Sequence, residues 1–231
     1  MLQKIDIKFS SDDILKTLTN IHLEQDSEDL MHKIEINAPS GNWFYDPWHL
    51  KTEFQNTNLI SLFDQLGPVG QARIVMIKPG CNYTAHADID DRYHINLQGE
   101  HSYLIDLDNA KMYPTLVDNC CYLMDTSRIH TAVNFGYLDR IQLVIRKLLN
   151  RGQLQNPTHV KIKAIDAPYN LRYLFDQTFS IWLNKANKKK IIDNFKPITD
   201  EEINLDLERE YLEELKNISL NCGFKVEINH D

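Results

Sequence analysis

The chain has 231 residues, 42% of them hydrophobic and 25% charged, a composition that fits a globular fold with a genuine core and excludes disorder or a fibrous repeat as its main theme. Its 33 acidic against 25 basic residues give a formal charge of -8, so the field around the protein repels phosphate backbones and anionic lipid, and nucleic acid is not an expected partner. There is no apolar signal core at the N-terminus, no run of about 18 uncharged apolar residues, and no C-x-x-C pair among the cysteines, which together lead to the expectation of a cytoplasmic protein with no membrane partner.

In chain order, the first element is a helix over Ser11 to Asn20, led by Ser10 and Ser11 as cap candidates. A short alternating segment follows from His32 to Asn37, and then the aromatic stretch GNWFYDPWHL from Gly41 to Leu50. Trp43, Phe44, Tyr45 and Trp48 either close one end of the core or form a wall of a ligand pocket; the sequence leaves both readings open. From Gln71 to Leu149 the texture changes to short apolar or alternating runs separated by turn residues, the signature of an antiparallel β sandwich or barrel. Eight strands are read there: ARIVMI, NYTAHAD, RYHINL, SYLIDL, KMYPTL, CCYLMD, HTAVNF and RIQLVIR. Pro79-Gly80, Gly99, Asp108-Asn109, Asp118-Asn119, Thr126-Ser127 and Gly136 fall between the runs, and Pro114 marks the fifth as an edge or a bulge. After about Asn150 the pattern reads as helical. One helix is expected over Leu171 to Ala186, and a second from Thr199, where Thr199 and Glu202 stand in capping-box relation and Ile203, Leu207, Tyr211, Leu212 and Leu215 follow as a stripe. Lys188-Lys189-Lys190 reads as solvated surface.

The chemistry is concentrated in His86-Ala87-Asp88, in His130, 42 residues after Asp88, and in Arg140, ten further on. Positions i and i+2 of a strand share a face, so the His86 imidazole and the Asp88 carboxylate can meet one metal ion without special backbone. Four short strands fit between Asp88 and His130 and can return the chain opposite the pair. Two histidines and a carboxylate on one side of a metal leave its other positions open, the arrangement of a non-haem Fe(II) oxygenase. An arginine pointing into a barrel is costly unless an anion meets it; the planar fork of Arg140 suits a dicarboxylic keto acid whose other end chelates iron, and an ion pair with Asp139 or another acid of the chain is the bland alternative.

The residues from Arg73 to Arg146, with I-K-P-G before H-A-D, then R-Y-H-I-N-L, H-T-A-V-N and R-I-Q-L-V-I-R, resemble the aspartyl/asparaginyl β-hydroxylase superfamily, including the bacterial free-L-proline hydroxylases. The resemblance covers about a third of the chain. It implies a double-stranded β-helix, a cupin-like jelly roll, that binds Fe(II) and 2-oxoglutarate and consumes O2. His86, Asp88 and His130 would be the iron ligands, and Arg140 would pair with the distal carboxylate of the cosubstrate. Arg92 and His94 fall on the family's R-x-H-x-x-L positions; they share a strand face and so can both turn toward cosubstrate or substrate, or Arg92 can pair with Asp90 or Asp91. Animal members carry glycine where Asp88 stands, so this chain sides with the bacterial small-substrate enzymes.

The resulting expectation is a mainly β protein with flanking helices: a double-stranded β-helix with N-terminal flanking elements over residues 1–150 and a helical C-terminal extension packed on it over 151–231. The expected activity is hydroxylation of an unactivated C–H bond in a free amino acid, proline first, or in a peptidyl Asp, Asn or Pro residue. An acidic or zwitterionic substrate would need a basic partner such as Arg92 or Arg128. The alternative is a non-oxygenase cupin acting as a metal- or small-ligand-binding sensor or isomerase. Nothing in the sequence fixes the oligomeric state.

Overall fold

In a computed structural model, residues 2–22, 31–165, 178–199 and 202–228 are described, and all counts of elements refer to these. By its internal contacts the chain forms two compact units, Met1–Ala85 with Asp91–Leu148, and His86–Asp90 with Leu149–Asp231. The protein is mainly β.

The first unit begins with β1 (Leu2–Ile5) and α1 (Ser11–His22), whose first turn carries Asp12 and Asp13 and whose Asp13 N–H donates to Ser10 Oγ at 3.2 Å. Acids and a serine hydroxyl at a helix N-terminus satisfy its unpaired N–H groups and complement the dipole, so this helix forms where its sequence predicts it. There follow β2 (Met31–Glu35), β3 (Asn37–Pro39), β4 (Trp48–Leu50) and α2 (Leu59–Leu66). The expectation above contains no helix at α2, although Leu59, Leu62, Phe63 and Leu66 stand at helical spacing.

The rest of the unit is β5 (Val69–Ile77), β6 (Arg92–Gln98), β7 (Ser102–Asp106), β8 (Lys111–Pro114), β9 (Cys121–Met124), β10 (His130–Asn134) and β11 (Arg140–Lys147). Among the described residues these form a six-stranded sheet, β1-β9-β6-β11-β5-β2, and a three-stranded sheet, β10-β7-β8, all pairs antiparallel. The chain therefore passes back and forth between two sheets, the connectivity of a jelly roll. The second of the eight expected runs, NYTAHAD, does not form a strand: Asn82 makes an isolated bridge to Val133 of β10, and the His86-Ala87-Asp88 segment lies outside the ladders, so strand alternation is not what sets its side chains.

Period two divides β5 and β11 into two faces. Ala72, Ile74, Ile141, Leu143 and Ile145 join Ile14 and Leu18 of α1 and Leu59 and Leu62 of α2 in one buried cluster. Val75, Ile77 and Val144 join Leu104 of β7, Met124 of β9 and Ala132 of β10 in another, which lies between the two sheets. The inward phase of β11 also carries Arg140, Gln142 and Arg146, all buried. A strand buried on both faces yet polar at alternate inward positions sets aside core space for something other than packing.

The second unit corrects the expected helical extension. It contains β12 (Pro157–Ala164), α3 (Thr178–Lys188), β13 (Ile192–Thr199), β14 (Glu202–Glu208), α4 (Leu212–Asn221) and β15 (Phe224–Ile228). Its sheet order is β13-β14-β12-β15 with every pair antiparallel, so this β-α-β-β-α-β chain has the ferredoxin-like topology. Where a helix is expected from Thr199 the chain forms β13 and β14. Ile203, Leu205 and Leu207 are buried while Glu202, Asn204, Asp206 and Glu208 are not, so period two overrides the i, i+4 reading of Ile203 and Leu207. The helix expected from Leu171 is observed from Thr178, and residues 171–177 lie outside those described. Phe179 of α3 meets Phe224 at 5.4 Å between ring centroids, and Trp182 Nε1 donates to Glu214 Oε1 of α4 at 2.8 Å.

Candidate metal centre

The site begins at the Pro79-Gly80 turn, where Gly80 has φ +74, a conformation glycine adopts without strain. From there the chain runs antiparallel to β10: Asn134 N donates to the Cys81 carbonyl at 3.0 Å, Tyr83 N donates to the Ala132 carbonyl at 2.8 Å, and Thr131 Oγ1 donates to the Tyr83 carbonyl.

One ligand atom from each of His86, Asp88 and His130 lies within 4.8 Å of the others. His86 Nε2 is 3.6 Å from Asp88 Oδ2, with side chains 11% and 12% exposed. His130 is buried, and its Nδ1 donates to the Arg128 carbonyl at 2.8 Å. A carbonyl only accepts, so the proton sits on Nδ1 and the Nε2 lone pair faces outward as a metal ligand requires. Two imidazoles and one carboxylate suit a borderline divalent ion such as Fe(II) and leave positions free for small molecules.

Between the sheets, Arg140 is 1% exposed. Its Nη2 donates to Gln142 Oε1, Gln142 Nε2 donates to Asn96 Oδ1, and Asn96 Nδ2 donates to the Leu116 carbonyl at 3.0 Å. Both ends of this chain are fixed, because a guanidinium only donates and a carbonyl only accepts; every amide between them therefore has one orientation. His94 Nδ1 lies 3.5 Å from the same Gln142 Oε1. Burial, followed by the charges of Arg140, His130 and Arg92, pushes the His94 pKa down to about 3, so the ring is neutral at physiological pH. Burial lowers Arg140 to about 9, which leaves it cationic. Arg140 Nε and His94 Nε2 are buried without a hydrogen-bond partner, and among the described residues no carboxylate lies within ion-pair distance of Arg140. Asp139 instead meets Lys78 at 3.2 Å, which removes the bland account of Arg140.

A cavity of about 260 Å³ opens beside this network, lined by His94, Asn96, Gln142, Leu104, Tyr113 and Thr115 among others. The Thr115 hydroxyl is also buried and unpartnered. The cationic guanidinium with its unpartnered Nε, and the unpartnered Thr115 hydroxyl, fit an anionic ligand with hydrogen-bond acceptors at its end.

The structure thus gathers His86, Asp88 and His130 into one cluster, and joins Arg140 and His94 through Gln142. Arg92, half-buried at the start of β6, shares the inward phase with His94. Arg128 meets Asp106 at 3.6 Å and Asp125 at 3.9 Å, so its charge is answered inside the protein. The aromatic stretch divides between its two readings. Tyr45 and Trp48 are buried, whereas Trp43 is 42% exposed, sets its ring edge-on to Trp48 at 4.4 Å, and lies 6.0 Å from the Arg146 guanidinium, itself 4.7 Å over Phe44. Gln142, Asn96 and Thr115 are absent from the sequence reading. For the first two the signal is present, since Asn96 stands two residues from His94 and Gln142 two from Arg140, and so each shares a strand face with a residue already singled out.

No family model and no curated protein sequence matches the chain. Among solved structures it is similar to an oxidoreductase of the 2OG-Fe(II) oxygenase family from Burkholderia pseudomallei, at 10% identity and a TM-score of 0.38, over 58% of this chain and 75% of that one.

Proposed function

We propose that the protein is an Fe(II)- and 2-oxoglutarate-dependent hydroxylase of the kind its motifs resemble, the aspartyl/asparaginyl β-hydroxylase superfamily. The observation that carries this reading is Arg140, a buried guanidinium with an unpartnered Nε and no carboxylate in reach, placed in the same fold as the His86, Asp88 and His130 cluster. His86, Asp88 and His130 would hold the iron, and Arg140, oriented by Gln142, would hold the distal carboxylate of the cosubstrate. Bound together, iron, 2-oxoglutarate and O2 supply the oxidation of an unactivated C–H bond, with the cosubstrate decarboxylated to succinate. The chain's own contribution would be to orient the cosubstrate and to exclude water around it, through a guanidinium held by Gln142 and a lining of Leu104 and Tyr113.

The substrate class we propose is a small molecule bearing a carboxylate, free L-proline first, with Arg92 and Arg146 as the basic groups nearest the inward face. A peptidyl Asp, Asn or Pro residue is the second class. The four cysteines are free thiols, in keeping with a cytoplasmic location.

Anaerobic titration with Fe(II) and then 2-oxoglutarate tests the reading, with a visible metal-to-ligand charge-transfer band as the expected result. Iron binding without any 2-oxoglutarate binding gives the protein to the cupin alternative. Succinate formation screened across the twenty free amino acids, and then with Asp-, Asn- and Pro-containing peptides, assigns the substrate class.

A further inference from the structure

Helix α3 has two kinds of buried surface. Phe179, Trp182, Leu183 and Ala186 form the apolar stripe expected of a helix on a sheet, but Ser180, Asn184 and Asn187 are buried as well, at 0%, 1% and 5% exposure. They are spaced four and three residues apart, which places them on one line along the helix. Asparagine is a poor residue inside a helix and a costly one to bury, so two of them in eleven residues need a physical account. Their partners supply it. Asn187 Nδ2 donates to the Asn150 carbonyl at 3.0 Å, and Asn184 Nδ2 donates to the Asp88 carbonyl at 3.1 Å. The His86–Asp90 segment belongs by its contacts to the same compact unit as α3, and Ala87 and Asp90 within it are buried.

We propose that Asn184 is a positioning residue for the metal centre: its amide holds the main chain of Asp88, and with it the segment that carries two of the three metal-ligating side chains. This rests on the iron reading and extends it by naming a residue that holds the segment bearing two of the ligands. A carbonyl of a ligand residue fixed from α3 restricts the backbone of His86-Ala87-Asp88 before metal arrives, so less ordering remains to be done on binding. The coupling is reciprocal, and metal bound at the segment must stabilise α3.

Two measurements test this, both with Fe(II) alone under nitrogen. Calorimetric Fe(II) titration of Asn184→Leu, a substitution that keeps the branched heavy-atom skeleton and removes the donor, should show affinity reduced roughly ten- to a hundredfold, with an unchanged far-UV circular dichroism spectrum. Should that variant not fold, hydrogen exchange on the wild-type protein still decides: amides of Thr178–Lys188 should exchange more slowly once Fe(II) is added. Wild-type protein that binds Fe(II) with no slowing at α3, or a folded Asn184→Leu with wild-type affinity, overturns the positioning role and leaves the iron reading standing. Absence of Fe(II) binding by the wild-type protein overturns both.

Discussion

Arg140 pays for its position in desolvation. The depression of its pKa from 12.5 to about 9 corresponds to a cost on the order of 5 kcal/mol for keeping the charge inside the sandwich, which a bound dicarboxylate would offset. Arg140→Ala should therefore weaken 2-oxoglutarate binding by about 30-fold to several thousand-fold, the 2–5 kcal/mol of a truncated buried charge pair, and leave Fe(II) affinity nearly unchanged. Arg140→Lys should recover only part, because a point charge lacks the fork. Gln142→Glu is the complementary change: a carboxylate at the Gln142 position pairs with the guanidinium internally, so the variant should bind 2-oxoglutarate less well than wild type. At the ligands, His86→Ala and His130→Ala should each abolish stoichiometric Fe(II) binding in a folded protein, with Asp88→Ala milder. Full iron affinity in either histidine variant would remove that residue from the ligand set. His94 gives a pH signature. Its folded pKa, about 3, lies below the ordinary value of 6.5, so above pH 6.5 the ring is neutral in both states. As pH falls from 6.5 toward 3 the unfolded chain gains a proton that the folded chain refuses, and stability is lost by up to about 1.4 kcal/mol per pH unit. Urea midpoints of His94→Asn should accordingly vary less with pH across that window than those of wild type.

At the scale of single elements, the turn between β10 and β11 sets where Arg140 enters the sandwich. Asn134 Nδ2 donates to the carbonyls of Ile77 and Leu138, and its Oδ1 accepts from Gly136 N, so one buried asparagine ties the turn to β5. A Cβ at Gly136 would stand 2.1 Å from the Glu100 carbonyl oxygen. That neighbour is backbone and cannot swing aside, so Gly136→Ala should destabilise the fold by about 1–3 kcal/mol and weaken 2-oxoglutarate binding along with it, as read by a urea transition and a titration on the same variant. In the ferredoxin-like unit the element that decides the fold is β14, a central strand. Leu205 there is 2% exposed, and Leu205→Ala should cost about 2–5 kcal/mol of stability, where an exposed position on a helix would cost almost nothing.

On the scale of the whole molecule, a ligand that binds only the folded chain stabilises it by mass action. Free Fe(II) at a hundred times its dissociation constant should add about 2.7 kcal/mol, which for a chain of this length raises the melting temperature by about 5–10 °C. A thermal melt under nitrogen with and without the metal measures this, and His130→Ala should lose the shift. Much of this molecule is legible in its sequence, because the sequence directly encodes local periodicity and turn chemistry. The strands from β5 to β11, the cap of α1, the H-A-D motif, His130 and Arg140 are all visible as alternation, punctuation and spacing. Such signals fail where two periods fit the same residues: Ile203 and Leu207 match a helix stripe, and only pairing with β12 and β13 makes Leu205 the decisive residue between them. They also say nothing of what meets what across long separations. That Asp139 is taken by Lys78, that Gln142 orients Arg140, and that Asn184 holds the Asp88 carbonyl are facts of tertiary structure, since each partner is chosen by the folded backbone's placement of donors beside acceptors rather than by any pattern along the chain. The sequence singled out His86, Asp88, His130 and Arg140 by type and spacing; the folding of strands into two sheets decided that Arg140 is buried with no carboxylate within ion-pair distance among the described residues.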